Sequence, residues 1–225
     1  MSELRIIGYI HTDLKEKFGV PRQSGLVPAL TGRIVFEAEF KSRDFIKGLE
    51  GFNYLWLLWR FDGVDTSHVK STVRPPRLGG NKTMGVFATR SPFRPNPIGL
   101  SSVKLEKIDF DENLGPILTV SGVDMKDGTA IYDIKPYLPY TDIHTDALGG
   151  FGADHLGDNL TVVFPDELKK LVPGDKLDAL IGLLREDPRP HYQDDPERIY
   201  GLSYAGLNVS FTADKEIRVI KIAPE

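Results

Sequence analysis

Through its first 140 residues this chain alternates short apolar runs with turn signals, and it offers little helix between them. Residues 33–40 read RIVFEAEF, with Ile34, Phe36, Ala38 and Phe40 on one side and Glu37 and Glu39 between them. That two-residue period is a strand signature. Residues 54–61 (YLWLLWRF) are apolar or aromatic at successive positions, as in a strand buried on both faces. Residues 84–88, 100–108, 117–123 and 130–134 read as further strands. Asp62-Gly63, Gly79-Gly80-Asn81, Asp111-Glu112-Asn113 and Asp127-Gly128 punctuate them. The one helical turn expected lies at 44–49, after a Ser42 cap. A doubly wound fold needs helices alternating with strands, so it is excluded here. The expectation is a mainly β domain built as a folded, barrel-like sheet.

The pattern changes after Tyr140. Residues 141–158 are rich in Gly, Asp and His without a period, and read as a linker or an ordered flap. Residues 160–164 form a short strand. Helices follow at 166–171 and 175–184, divided by Pro173-Gly174, and Leu177, Leu180, Ile181 and Leu184 stripe the second. Strands are expected at 199–202, 207–211 and 217–222. The chain of 225 residues therefore divides into a barrel-like domain at 1–146 and a small α+β annex at 147–225. With no cysteine, disulfides and thiolate chemistry drop out. The N-terminal stretch lacks a signal-peptide pattern and the most apolar run, 54–58, is too short for a bilayer, so a cytoplasmic protein is expected.

The most informative stretch for function is residues 85–100, GVFATRSPFRPNPIGL. Pro92, Pro95 and Pro97 restrict the backbone around Arg90 and Arg94. Guanidinium forks held this way suit phosphates, carboxylates and flat bases. The plainer reading is a proline-rich turn with exposed arginines. Net charge is −4, yet residues 66–105 hold seven of the 28 Lys and Arg and none of the 32 Asp and Glu. A basic segment on an acidic body can dock a polyanion on one face, unless acids from elsewhere fold against it.

Residues 127–137, DGTAIYDIKPY, form the second dense segment. Asp133 and Lys135 stand two apart, so on a strand they share a face. They form an edge ion pair or line a pocket. Residues 20–26, VPRQSGL, couple Pro with Arg and Gln, or are an ordinary surface loop. Asp142, His144, Asp146, Asp154, His155 and Asp158 are metal-ligand types, but their spacing matches no zinc or calcium pattern, and no metal site is expected. There is no Gly-x-Ser-x-Gly elbow and no Walker loop. Gly149-Gly150-Phe151-Gly152 follows no strand and is not a dinucleotide fingerprint.

Pro21-Arg22-Gln23, Glu50-Gly51-Phe52, ATRSPFRPNPIG at 88–99, Asp127-Gly128-Thr129 and DIKPY at 133–137 occur in one order. In this they resemble the bacterial tRNA N6-methyltransferases that act on threonylcarbamoyladenosine at position 37, over residues 6–141. DPRP at 187–190, Tyr200-Gly201 and Asn208-Val209 are similar to the annex of those proteins. The resemblance implies a barrel-like sheet instead of a Rossmann methyltransferase, S-adenosylmethionine as cofactor, and a tRNA anticodon loop as substrate. It also implies a homodimer with sites near the subunit interface. The implied cofactor residues are Pro21, Arg22, Gln23, Asp62, Gly63, Arg90 and Leu100, with Asp127, Gly128, Thr129, Ala130 and Ile131 of the turn. Many relatives carry His at the position of Asp62 and Pro at that of Ala130. Arg94, Asn96 and Tyr137 would meet RNA. Asp133 would accept the N6 proton, with Lys135 tuning it or holding the substrate carboxylate. Two rivals share these motifs: a non-catalytic RNA-binding module, and a methyltransferase of this fold with another substrate.

Overall fold

The inward and outward alternation of the strands is resolved by closing the sheet on itself. The computed structural model describes residues 4–65, 67, 69–75, 82–155, 159–189 and 195–225. The Gly79-Gly80-Asn81 turn, Arg77, Asp158 and Pro190 lie outside the described residues. The strands of the first domain are β1 (Gly8–Thr12), β2 (Thr31–Phe36), β3 (Tyr54–Arg60), β4 (Thr72–Val73), β5 (Met84–Gly85), β6 (Ile98–Asp111), β7 (Gly115–Ser121) and β8 (Thr129–Pro136). Among the described residues, a closed barrel runs β1-β2-β7-β6-β3-β8, with β4 and β5 paired apart from it. The barrel pairings are antiparallel, including the β1–β8 closure. Closure pairs the outer strands of the sheet with each other, leaving unpaired on one side the stretch of β6 that runs past the end of β7. Ile10, Ile34, Leu55, Leu57, Val103, Leu118, Val120 and Ile131 fill the interior as a packed apolar core. Gly99 lies under Trp59: a Cβ there would stand 2.1 Å from the indole Cε2.

The mainly β expectation holds, with local corrections. β3 is buried on one face only: Leu55, Leu57 and Trp59 point inward while Trp56 and Leu58 stay half-buried, because no layer covers the barrel outside them. β2 stops at Phe36, where its register with β1 ends at Gly8, and residues 38–40 wind into a 3-10 turn instead of continuing the strand. Within 84–88 only Met84–Gly85 is strand, and Val86–Ala88 is a 3-10 turn. β1 escaped the sequence reading because Gly8 and His11 interrupt a very short apolar run.

The annex begins after the short helix α1 (Pro139–Asp142). It contains β9 (Thr161–Val163), α2 (Asp166–Lys169), α3 (Gly174–Arg185), β10 (Tyr200–Tyr204), β11 (Leu207–Ala213) and β12 (Glu216–Pro224). Its sheet order is β10-β11-β12-β9, with β9 parallel to β12. Helix α3 buries Leu180 and Leu184 of its expected stripe and adds Ala179 and Leu183, while Leu177 and Ile181 pack at the rim. The apolar core runs without a break from the barrel into the annex. No described helix is long and apolar enough to cross a membrane.

Candidate active site at the barrel mouth

β7 leaves the barrel at Ser121, opposite Lys104, while β6 reaches back to Ile98 beside β3 alone. That leaves one edge of residues 98–103 open, and side chains fill it. Ser24 Oγ accepts the Ser102 amide at 3.1 Å. Ser101 Oγ accepts the Trp59 indole N–H at 2.8 Å and donates to Asp124 Oδ1 at 2.6 Å. Since the hydroxyl already accepts the indole proton, its own proton is directed to the carboxylate. The chain after β7 bends at Gly122 (φ 73°), whose carbonyl accepts the Gly25 amide at 2.8 Å. Asp124 lies in this bend. Burial pushes its carboxyl up to about 6, opposed by Ser101, nearby backbone and the Arg90 charge. Exposed Arg90 donates to Gln23 Oε1. Gln23, Arg90, Asp124 and the Leu100-Ser101 step therefore meet at one mouth of the barrel.

The segment after β1 ties this mouth together. Asp127 accepts from the Thr12 amide at 3.1 Å and from Lys15 Nζ at 2.7 Å, and His11 Nδ1 lies 3.2 Å away. Burial pushes the Asp127 carboxyl up, but Lys15, the Thr12 amide and His11 outweigh it and hold it below the ordinary carboxylate range. The same contact raises Lys15. Gly128 (φ 74°) makes the turn into β8, and its amide reaches the Ile10 carbonyl at 2.9 Å. Lys17 Nζ donates to the Asp62 carbonyl at 2.8 Å, beside Gly63 (φ 67°). Thus residues 11–24 touch the Asp62-Gly63 turn, the arginine loop, the start of β6 and the Asp127 turn. Pro21, Thr129, Ala130 and Ile131 are buried. The last three lie in the β1–β8 ladder with their side chains buried.

The residues assigned to substrate lie on the outside of the barrel. Leu100, Leu58 and Asp133 form one cross-strand row, and Ser102, Trp56 and Lys135 the next. Asp133 Oδ2 meets Lys135 Nζ at 2.8 Å. The Tyr137 ring sits 5.5 Å from Trp56 and 6.3 Å from Tyr54. Trp56 Nε1 donates to Asp142 Oδ2 at 2.7 Å, and the Leu138 amide reaches the same oxygen at 2.9 Å. These bonds hold the Asp142 carboxyl low, the Leu138 amide foremost. Arg94 folds onto its own loop: Nη1 donates to the Thr89 and Ser91 carbonyls at 3.0 and 3.2 Å. Asn96 is exposed, and its carbonyl accepts the Ile98 amide at 2.8 Å.

Sequence reasoning passed over Asp124, Ser101, Trp59, Lys15 and Lys17. Asp124 carried a readable signal, an acid placed between Val123 and Met125 just after an apolar strand. The other four gain their meaning only from tertiary contact.

A closed barrel with an arginine-loop mouth carrying cation, amide and carboxylate together defines the class, and comparison with known proteins agrees. The tRNA-methyltransferase O N-terminal domain model matches residues 9–143, and the TrmO C-terminal domain model matches 158–225. The tRNA (adenine(37)-N6)-methyltransferase of Escherichia coli K12 is 42% identical over 205 residues, covering 88% of this chain and 86% of the relative. A putative S-adenosylmethionine-dependent methyltransferase of Pseudomonas aeruginosa is 38% identical over 227 residues, covering 96% of each. A crystal structure of TrmO from P. aeruginosa superposes with TM-score 0.80 at 32% identity, covering 100% of this chain and 98% of that one. The chain is a β-barrel tRNA methyltransferase. It belongs to the tRNA-methyltransferase O family, barrel and annex alike.

Proposed function

We propose that this protein uses S-adenosylmethionine to methylate N6 of N6-threonylcarbamoyladenosine at position 37 of a tRNA anticodon loop, working in the cytoplasm as a homodimer. The observation that carries the reading is the meeting of Gln23, Arg90 and Asp124 beside exposed Leu100. The donor set fits the cofactor. Arg90 and Gln23 suit its carboxylate, Asp124 and the Asp127 turn suit its ammonium or ribose hydroxyls, and Leu100 offers apolar surface. When bound, the cofactor supplies a methyl group on a sulfonium.

The chain's own residues then align and desolvate. N6 of the modified adenine is urea-like, and its lone pair is delocalised until its N–H is lost or given to an acceptor. Asp133, on the same outer row as Leu100, is that acceptor. The Asp133 carboxylate would take up the proton that N6 gives up on gaining the methyl group. Lys135, paired with Asp133, orients that carboxylate or holds the substrate carboxylate. Tyr137, with Trp56 and Tyr54, gives a splayed base an aromatic surface to stack on. Asn96 and Arg94 border the RNA path. The outer face carries Tyr54, Leu100, Tyr140 and Ile143 exposed by 41%, 51%, 86% and 54%, an apolar area suited to a second copy.

Asp133→Asn tests the assignment. Turnover is expected to fall about 10²- to 10⁴-fold with cofactor affinity unchanged. Near-normal turnover would remove Asp133 from the proton-accepting role.

A further inference from the structure

Segment 13–27, which carries the Pro21-Arg22-Gln23 loop, is gripped by the annex along its length. Lys176 Nζ of α3 meets Asp13 Oδ2 at 2.7 Å, and the Ala205 amide reaches the Asp13 carbonyl at 3.0 Å. Gly19 (φ 86°) sits against buried Leu202, where a Cβ would come within 2.1 Å of Cδ1. Gly182 of α3 sits against Val27, where a Cβ would stand 2.7 Å from Cγ1. Between these points the Asp187 carbonyl accepts Arg22 Nη2 at 3.2 Å.

Asp187 is held in an unusual state. It is buried, and its φ of 48° lies in the left-handed region that favours glycine. Arg189 holds it there. Nε reaches both carboxylate oxygens at 3.0 and 2.9 Å, Nη1 the Ala213 carbonyl at 2.8 Å, and Nη2 the Asp214 carbonyl at 3.2 Å. One planar guanidinium thus pins the loop after α3 to the end of β11 and aims the Asp187 carbonyl at Arg22. Backbone strain of this kind costs about 1–3 kcal/mol and persists only where the surroundings enforce it.

We infer that the Asp187–Arg189 pair of the annex is a positioning element of the cofactor site. It fixes Arg22, and through it the loop on which Gln23 meets Arg90. The annex then builds the back wall of the cofactor site, and is not merely an appended surface. The inference rests on the cofactor reading given above.

Arg189→Lys tests it. Lysine keeps a cation beside Asp187 but cannot fork to the carboxylate and two carbonyls in one plane. S-adenosylmethionine affinity, measured by calorimetry, is expected to weaken about three- to thirty-fold. Amides of residues 20–26 are expected to exchange faster with no ligand present. The KM for S-adenosylmethionine rises while kcat at saturation stays near wild type. An unchanged affinity overturns the inference, whatever the loop amides do. So does a general loss of protection and melting temperature with KM unchanged, the mark of a merely structural pair. Should Arg189→Lys not fold, Asp187→Asn loosens the same pair while keeping the carbonyl that Arg22 reaches and a side chain that tolerates the left-handed backbone. Weaker binding in it supports the inference and wild-type binding overturns it. Titration of the wild type separates the two levels: no uptake of S-adenosylmethionine there defeats the cofactor reading itself, and this inference with it.

Discussion

Two loops meet at the barrel mouth, and they are held in opposite ways. The arginine loop, residues 86–97, is braced from within. Three prolines restrict it, Thr89 Oγ1 accepts the Ser91 amide at 3.2 Å, and Arg94 bonds two carbonyls of the same loop. Segment 13–27 is braced from without. Its conformation depends on Asp127, Asp62, Gly122 and the annex contacts through Leu202, Gly182 and Asp187. Arg90 and Gln23 join the two. A locally braced loop keeps its shape when distant residues change. An externally braced loop transmits such changes, so the proposed cofactor site is expected to respond to the annex through segment 13–27 and not through the arginine loop.

The largest expected effect comes from cutting the join. Arg90→Ala loses a charged hydrogen-bonding group, and S-adenosylmethionine affinity should fall about 10- to 100-fold, read by calorimetry. Neither loop should unfold, because both keep their own braces.

Asp124 sharpens the comparison through pH. Its folded-state value near 6 stands above the ordinary 3.8, so the unfolded chain ionises first as pH rises. The cost to the fold is absent below about 4, grows towards about 6 and is constant above, at most about 3 kcal/mol. Asp124→Asn keeps an acceptor for Ser101, so it should raise the melting temperature at pH 7.5 and erase that slope. S-adenosylmethionine affinity should weaken about tenfold in the variant, as expected for one charge-assisted bond. In the wild type it should fall as pH drops through about 6. A melting temperature that does not rise would show that the charge is already compensated.

Arg94→Ala distinguishes brace from contact. As a brace, its removal speeds amide exchange across 86–97 and weakens cofactor and tRNA together by about three- to tenfold, in line with two lost charged hydrogen bonds in an exposed loop. Loss of tRNA affinity with exchange unchanged would make Arg94 a direct RNA contact. The smallest effect belongs to Lys15→Ala, whose exposed partner contact with Asp127 should cost under about 1 kcal/mol in thermal stability.

The same division explains what could be read in the sequence. Strand period and turn dipeptides are local, and β3, β6, β7, β8 and the annex strands were visible in them. The arginine loop was visible for the same reason, since its prolines act on their own neighbours. β1 was too short to show a period beside Gly8. The left-handed turn at Asp187, the open edge of β6 filled by Ser24, and the Ser101–Asp124 pair depend on residues tens of positions apart. No local pattern encodes those meetings. Gln23 enters the implied cofactor set only by family resemblance, and its hydrogen bond with Arg90 joins residues far apart in sequence.

The central claim is that this mouth transfers a methyl group to a modified adenine, and nucleoside mass spectrometry tests it most directly. The protein is incubated with S-adenosylmethionine and tRNA already carrying threonylcarbamoyladenosine, with Arg90→Ala in parallel, and the digested nucleosides are weighed. The account predicts one added methyl on threonylcarbamoyladenosine with the wild type, and much less with the variant at S-adenosylmethionine concentrations near the wild-type dissociation constant. An unmodified threonylcarbamoyladenosine peak, from wild-type protein shown to bind S-adenosylmethionine, would contradict it.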